Sequence, residues 1–255
     1  MSGFWSGFCA LYRRELNSYL ATPTAYVFVA AFLSGASLIA FQIGGLFEAG
    51  RADLQIFFQF HPWLYLIFMP ALAMRAWADE TRTGTLETLL AIPAPTASLV
   101  LGKFVAAWTI AGLALILSFP LWIALSWLGP VDHSATLATY FGSFLMAGAY
   151  LSVGTAMSAL TSNQVVAFVL GVMIAFVFTA AGLPLVGDTL SGLLGSGVLG
   201  EAGERVLASF SILDQFDGLN RGVIEARAVV FFTSFMAAWL AVATLFIDAK
   251  RRGNA

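Results

Sequence analysis

Between Phe104 and Glu204 the chain carries no lysine or arginine, and as far as Gly200 its only charged side chains are Asp132 and Asp188. A water-soluble domain keeps roughly a quarter of its residues charged. A cation-free stretch this long can instead cross a bilayer several times without placing positive charge in hydrocarbon. The rest of the chain conforms: its 255 residues are 60% hydrophobic and only 10% charged, more apolar surface than a soluble core of that length can hide. In lipid each segment must satisfy its own backbone polar groups, so the sequence predicts an all-α integral membrane protein, a single transmembrane domain over residues 1–255.

A helix needs about 20 apolar residues to span the hydrocarbon. Six segments are read as spans: Ala25 to Phe47, Pro62 to Trp77, Ser98 to Leu128, Leu137 to Leu160, Gln164 to Val186 and Ala228 to Ile247. The second is short and is expected to borrow from Leu54 to Phe60. Charge sets the orientation. With both termini inside, the cytoplasmic pieces carry Arg13, Arg14, Arg75, Arg82, Lys103, Lys250, Arg251 and Arg252, eight cations against five acids. The opposite side carries four cations against nine acids, so the positive-inside rule favours an even number of spans and cytoplasmic termini. A re-entrant second segment would spoil that balance.

Ahead of the first span, Phe4, Trp5, Phe8, Leu11, Tyr12, Leu16, Tyr19 and Leu20 share one helical face, with Arg13, Arg14 and Asn17 opposite. This pattern predicts an elbow helix over residues 1–24 lying in the membrane interface, where Trp5, Tyr12 and Tyr19 sit at headgroup level. Glu15 intrudes on its apolar face. Thr22 is placed to cap the first span and Pro23 to occupy its first turn. The arginine pair is too far from the apolar run for an export signal, and the run is long enough to be an uncleaved span. The lone Cys9 excludes a disulfide within the chain. In the fourth span Gly148, Ser152 and Ala156 recur every four residues and let another helix approach closely, either within the bundle or from a second subunit. Gly187 to Arg227 is too long for a turn and is read as an extracytoplasmic helical segment that dips into the outer leaflet or covers the bundle.

Several chemistries are absent from the sequence. It has no G-x-x-x-x-G-K-[ST] phosphate loop. His61 and His133 fall in separate outside connections without metal-ligand spacing, so no metal and no catalytic residues are expected. The spans lack the ionisable relays of an ion-coupled carrier, and nothing favours nucleic acid.

One short segment stands out against this apolar background: "WADETRTGTLETLLAIPAP", Trp77 to Pro95. Arg75, Asp79, Glu80 and Arg82 close the second span; Gly84 can break the helix and Thr85 can cap a new one. Glu87 then lies in a first turn, where the helix dipole favours an anion. Leu86, Leu89 and Leu90 share a face, and Pro93 and Pro95 end the helix. It is too short to be stable unless something packs on it. By residue chemistry alone, an ordinary charged cytoplasmic turn fits equally well.

"WADETRTGTLETLLAIPAPTASLVLGKF" resembles the acid-acid-x-R-x-G-T-L-E-x-L-L-x-x-P pattern, followed by L-G-K, of ABC-2 type transporter permeases. The matching positions are Glu80, Arg82, Gly84, Thr85, Leu86, Glu87, Leu89, Leu90, Pro93, Gly102 and Lys103. "RRELNSYLATPTAYV" is similar to the family's entry motif, and "SALTSNQVVAFVLG" to its turn between spans four and five. "LDQFDGLNRGVIEARAVVFF" resembles the gliding-motility-associated branch. The resemblance implies the membrane subunit of an ABC exporter in a bacterial cytoplasmic membrane. It also implies a coupling helix within residues 78–95, a second permease copy or relative, a possible auxiliary subunit, and a separate ATPase chain that holds ATP and magnesium. This chain would then hold no cofactor and hydrolyse nothing. Glu87→Ala or Leu89→Asp is expected to abolish ATPase association while sparing membrane insertion. A membrane scaffold that recruits a cytoplasmic partner through the same helix is the competing reading.

Overall fold

The computed structural model describes residues 2–44, 54–183, 185–186, 189 and 209–253. Among these the chain is all helical, without strands. The helices are α1 (Ser2–Ala21), α2 (Pro23–Gln42), α3 (Gln55–Phe58), α4 (His61–Ala73), α5 (Ala78–Thr83), α6 (Thr85–Leu90), α7 (Thr96–Ile116), α8 (Phe119–Leu128), α9 (His133–Leu160), α10 (Gln164–Ala180), α11 (Ile212–Asn220) and α12 (Ala226–Gly253). Four stretches are long and apolar enough to cross a bilayer: Pro23–Gln42, Thr96–Leu128, His133–Leu160 and Ala226–Arg252. The chain is therefore an integral membrane protein. The other two expected spans correspond to shorter helices, the 13-residue α4 and the 17-residue α10. At 1.5 Å per residue, α4 alone reaches about 20 Å, against a hydrocarbon thickness of about 30 Å. The one-turn α3 precedes it, as the apolar run from Leu54 to Phe60 anticipates, but remains a separate helix.

The centre of the bundle is α9, the least hydropathic of the four span candidates and the most buried. Its sequence explains both properties. Alanine, glycine, serine and threonine let neighbours approach the backbone, and a helix surrounded by protein has no lipid to face. A Cβ on Gly148 would lie 2.5 Å from Met236 Sδ of α12 and 2.9 Å from Trp108 Cε2 of α7. Ser152 and Ala156 are fully buried. The expected small-residue stripe thus packs against this chain's own helices. A second close approach lies on another face: a Cβ on Gly154 would meet Ala73 Cβ at 2.8 Å and Pro70 Cα at 3.1 Å, and Gly171 of α10 comes against the same Pro70. Helices α4, α9 and α10 meet at this point, which the four-residue spacing did not reveal.

Asp132 caps α9 by accepting from the Ser134 and Ala135 amides, and these hydrogen bonds, the Ser134 side chain foremost, hold its carboxyl below the usual range. Asn163 caps α10 in the same way. Thr22 does not cap α2: its hydroxyl donates back to the carbonyls of Ser18 and Tyr19. Much of Gly187 to Arg227 lies outside the described residues. Its α11 buries Ile212, Phe216 and Leu219, and the Leu219 and Asn220 carbonyls accept from Thr139 of α9 at 3.2 and 3.3 Å. His61, expected in an outside connection, is instead fully buried at the start of α4 among Phe32, Phe57, Phe58 and Tyr65.

Candidate functional site

A single hydroxyl shapes the segment that stood out in the sequence. Ser158, fully buried near the end of α9, accepts from the amides of Trp77 at 3.0 Å and Ala78 at 3.1 Å, and donates to the Met74 carbonyl at 2.9 Å. One donor and two acceptor sites are all that a serine hydroxyl offers, and here all are used. The chain bends after α4 and starts α5 where Ser158 can receive its first amides. Gly84, at φ 75°, then turns the chain between α5 and α6 in the left-handed region that glycine tolerates without a Cβ penalty.

This glycine, rather than Thr85, precedes the first residue of α6; Thr85 is already helical, and its hydroxyl lies 3.0 Å from that of Thr83. Glu87 stands in the first turn, as expected. Leu86, Leu89 and Leu90 do share a face, but that face is buried inside this chain, at 4%, 3% and 8% exposure. The chain itself supplies the packing that so short a helix needs. Leu89→Asp would consequently disrupt the fold before testing any partner. The face left exposed comprises Thr85, Glu87 and Thr88, followed by Ala91, Ile92 and Pro93.

The charges around α5 form a connected cluster. Lys103, counted among the cytoplasmic cations, is buried on α7, with its side chain 3% exposed. Its ammonium lies 3.2 Å from Glu15 Oε1 of α1 and 2.9 Å from Glu80 Oε1 of α5, and 5.1 Å from the centre of the Trp77 ring. Arg14 reaches the same two oxygens at 3.1 and 2.7 Å. Burial of a lysine is tolerable when charge partners and an aromatic face replace its water. The acid that interrupted the apolar face of α1 is thus the partner of a buried cation. Behind them, Gly102 lets α1 lie close: a Cβ there would come within 3.2 Å of Leu11 Cβ and the Phe8 carbonyl.

Two further links tie the segment to the bundle. Asp79 accepts from Arg82 at 2.9 Å and from Gln164 Nε2, at the start of α10, at 2.7 Å. The Arg82 hydrogen bond, with that of Gln164 and the positive charges of Arg82 and Arg75, holds the Asp79 carboxyl below its ordinary range. From α12, Asp248 accepts from Thr96 at 2.6 Å and Lys250 donates to Thr81 at 3.3 Å.

Of the other interfacial residues expected on α1, Trp5 is 60% exposed and Arg13 is exposed, while Tyr12 and Tyr19 are half-buried against the bundle. Sequence reasoning missed Glu15, Gln164, Ser158 and Asp248 as parts of this site. Glu15 carried a signal of its own, an acid on an apolar face, and Ser158 and Gln164 lay within the quoted turn motif without a role assigned to them. Three of the quoted motifs, carrying Arg14, Glu80 with Lys103, and Gln164, come together at one end of the bundle.

A family model described as ABC-2 family transporter protein matches residues 45–246. Most of α12 falls within the match, and α1 and α2 lie ahead of it. Comparison with curated proteins gives no match.

Proposed function

From the premise that the chain belongs to the ABC-2 transporter family, we propose that it is the membrane subunit of an ATP-driven exporter and that α5 and α6 form its coupling element. The proposed topology has six spans, carried by α2, α3 with α4, α7 with α8, α9, α10 and α12. Both termini face the cytoplasm of a bacterial inner membrane, and α1 serves as an interfacial elbow. One such chain is half of a pathway, so two permeases would work with two ATPase subunits, which carry the ATP and magnesium.

The observation that carries this reading is the way the segment is anchored. A partner pressing on Thr85, Glu87, Thr88 and Ile92 pushes on a helix whose other face is buried in the bundle. That push is delivered to α9 through Ser158, to α1 and α7 through Glu80, to α10 through Asp79, and to α12 through Thr81. Useful coupling requires the ATPase to bind this face differently in its two nucleotide states, since equal contact in both shifts nothing.

The test uses substitutions on the exposed face. The tagged full chain carrying Glu87→Arg with Ile92→Asp should reach the membrane and unfold at the wild-type temperature in detergent, yet lose a nucleotide-hydrolysing partner that copurifies with the wild type. Normal copurification and stimulation of the ATPase by that variant would refute the coupling assignment.

A further inference from the structure

A cavity of about 310 Å³ opens between α1, the first turn of α2 and the bend after α4. Its walls include Arg14, Ser18, Thr24, Arg75 and the Asp79–Glu80 pair. Most charges around it are already matched within the protein. Arg14 and Lys103 share Glu15 and Glu80, and Arg82 pairs with Asp79. Arg75 remains. It is exposed in the cavity wall where apolar α4 gives way to the bend, and no carboxylate lies within ion-pair distance of it among the described residues. Because Arg82, from outside the wall, takes up Asp79, Arg75 is left as the one cation of the wall without an ion-pair partner, on a side chain whose planar fork suits phosphate oxygens.

We propose that this cavity binds the phosphodiester group of a membrane phospholipid. The one cation of the wall without an ion-pair partner can meet the single negative charge of a phosphodiester. Ser18 and Thr24 add hydroxyl donors to the same wall, whereas the Thr22 hydroxyl is engaged by the Ser18 and Tyr19 carbonyls. A lipid rather than a free anion is favoured by the exposed apolar surface that α2 presents next in the chain: Tyr26 and Val27, outside the cavity wall, are 61% and 65% exposed. The site sits where the first span candidate starts and α4 ends, the level at which a headgroup resides. A lipid bound there would touch α1, α2 and the bend together. The proposal requires only that the chain be a membrane protein and does not depend on an ATPase partner.

The experiment measures thermal unfolding of the purified full-length protein in a phosphate-free, non-ionic detergent, titrated with dihexanoylphosphatidylglycerol. The lipid should raise the unfolding temperature saturably, while dihexanoylglycerol or inorganic phosphate at the same concentrations should not. Arg75→Gln should weaken the apparent affinity by about tenfold, the loss of one charge-assisted contact, and Arg252→Gln, an exposed cation of α12 outside the cavity wall, should leave it unchanged. If Arg75→Gln does not yield a folded protein, Ser18→Ala with Thr24→Val takes its place and should weaken binding of the lipid. An equal shift with inorganic phosphate would mean a free-anion site and overturn the lipid assignment. An equal shift with dihexanoylglycerol, no shift with the phospholipid, or undiminished binding in the folded variant would overturn the site itself.

Discussion

Replacing Lys103 by methionine would keep the apolar stem and remove the ammonium from between Glu15 and Glu80. The wild-type ammonium is 3% exposed and its acidic partners 15% and 12%, so water can do little to take its place. Breaking a buried ion pair by deleting one partner costs about 3–5 kcal/mol, because the remaining charge stays buried without compensation. Here Arg14 still reaches both carboxylates, at 3.1 and 2.7 Å, but from a side chain that is 56% exposed and therefore screened. The expected loss is accordingly near the lower end, about 3 kcal/mol. Reversible unfolding in mixed micelles, followed by tryptophan fluorescence, would measure it. The triple variant Lys103→Met, Glu15→Gln, Glu80→Gln should recover to within about 1 kcal/mol of wild type, because it buries no unpaired charge. If Lys103→Met alone stays within about 1 kcal/mol of wild type, the cluster is solvated through the neighbouring cavity and the reasoning fails.

Three further outcomes are expected. Ser158→Ala leaves two amides and a carbonyl at the bend without their buried partner and should cost about 2–3 kcal/mol, whereas Ser152→Ala, whose hydroxyl bonds only to Ala149 of its own helix, should cost less than about 1 kcal/mol; equal losses in the same unfolding assay would deny Ser158 its role. Gly154→Ala and Gly148→Ala should each destabilise by about 1–3 kcal/mol. At Gly154 the new methyl meets the Ala73 Cβ and the Pro70 backbone, and at Gly148 it meets Met236 and the Trp108 ring, which Phe144 holds by stacking and a hydrogen bond. The Asp79 carboxyl is held below its ordinary value in the folded protein, so its stabilising contribution is complete above about pH 4 and is lost as pH falls through the folded value. Asp79→Asn should therefore flatten the fall in stability below about pH 4 and leave the neutral-pH slope unchanged, and an identical acid limb in both proteins would count against the Arg82 and Gln164 bonds.

Composition and charge spacing were sufficient to predict an all-helical membrane protein, because hydrocarbon admits few ways to satisfy a backbone and leaves long cation-free runs in the chain. The segment from Trp77 to Pro95 was legible for a local reason: Gly84 and the two prolines act on their own backbone, so the α5–α6 break and the placement of Glu87 needed no neighbours. What the segment leans on was decided only by tertiary structure. A leucine face looks the same in sequence whether it awaits another protein or its own bundle, and the fold turns Leu86, Leu89 and Leu90 inward. Lys103 entered only as one cytoplasmic cation because charge counts ignore burial, yet folding brings Glu15 from 88 positions earlier and Glu80 from 23 positions earlier to receive it. Ser158 was one small residue among many on α9, and its role exists only because α9 passes beside the bend. Periodicity reports the face of a helix, while the partner that covers that face is set by how the helices assemble.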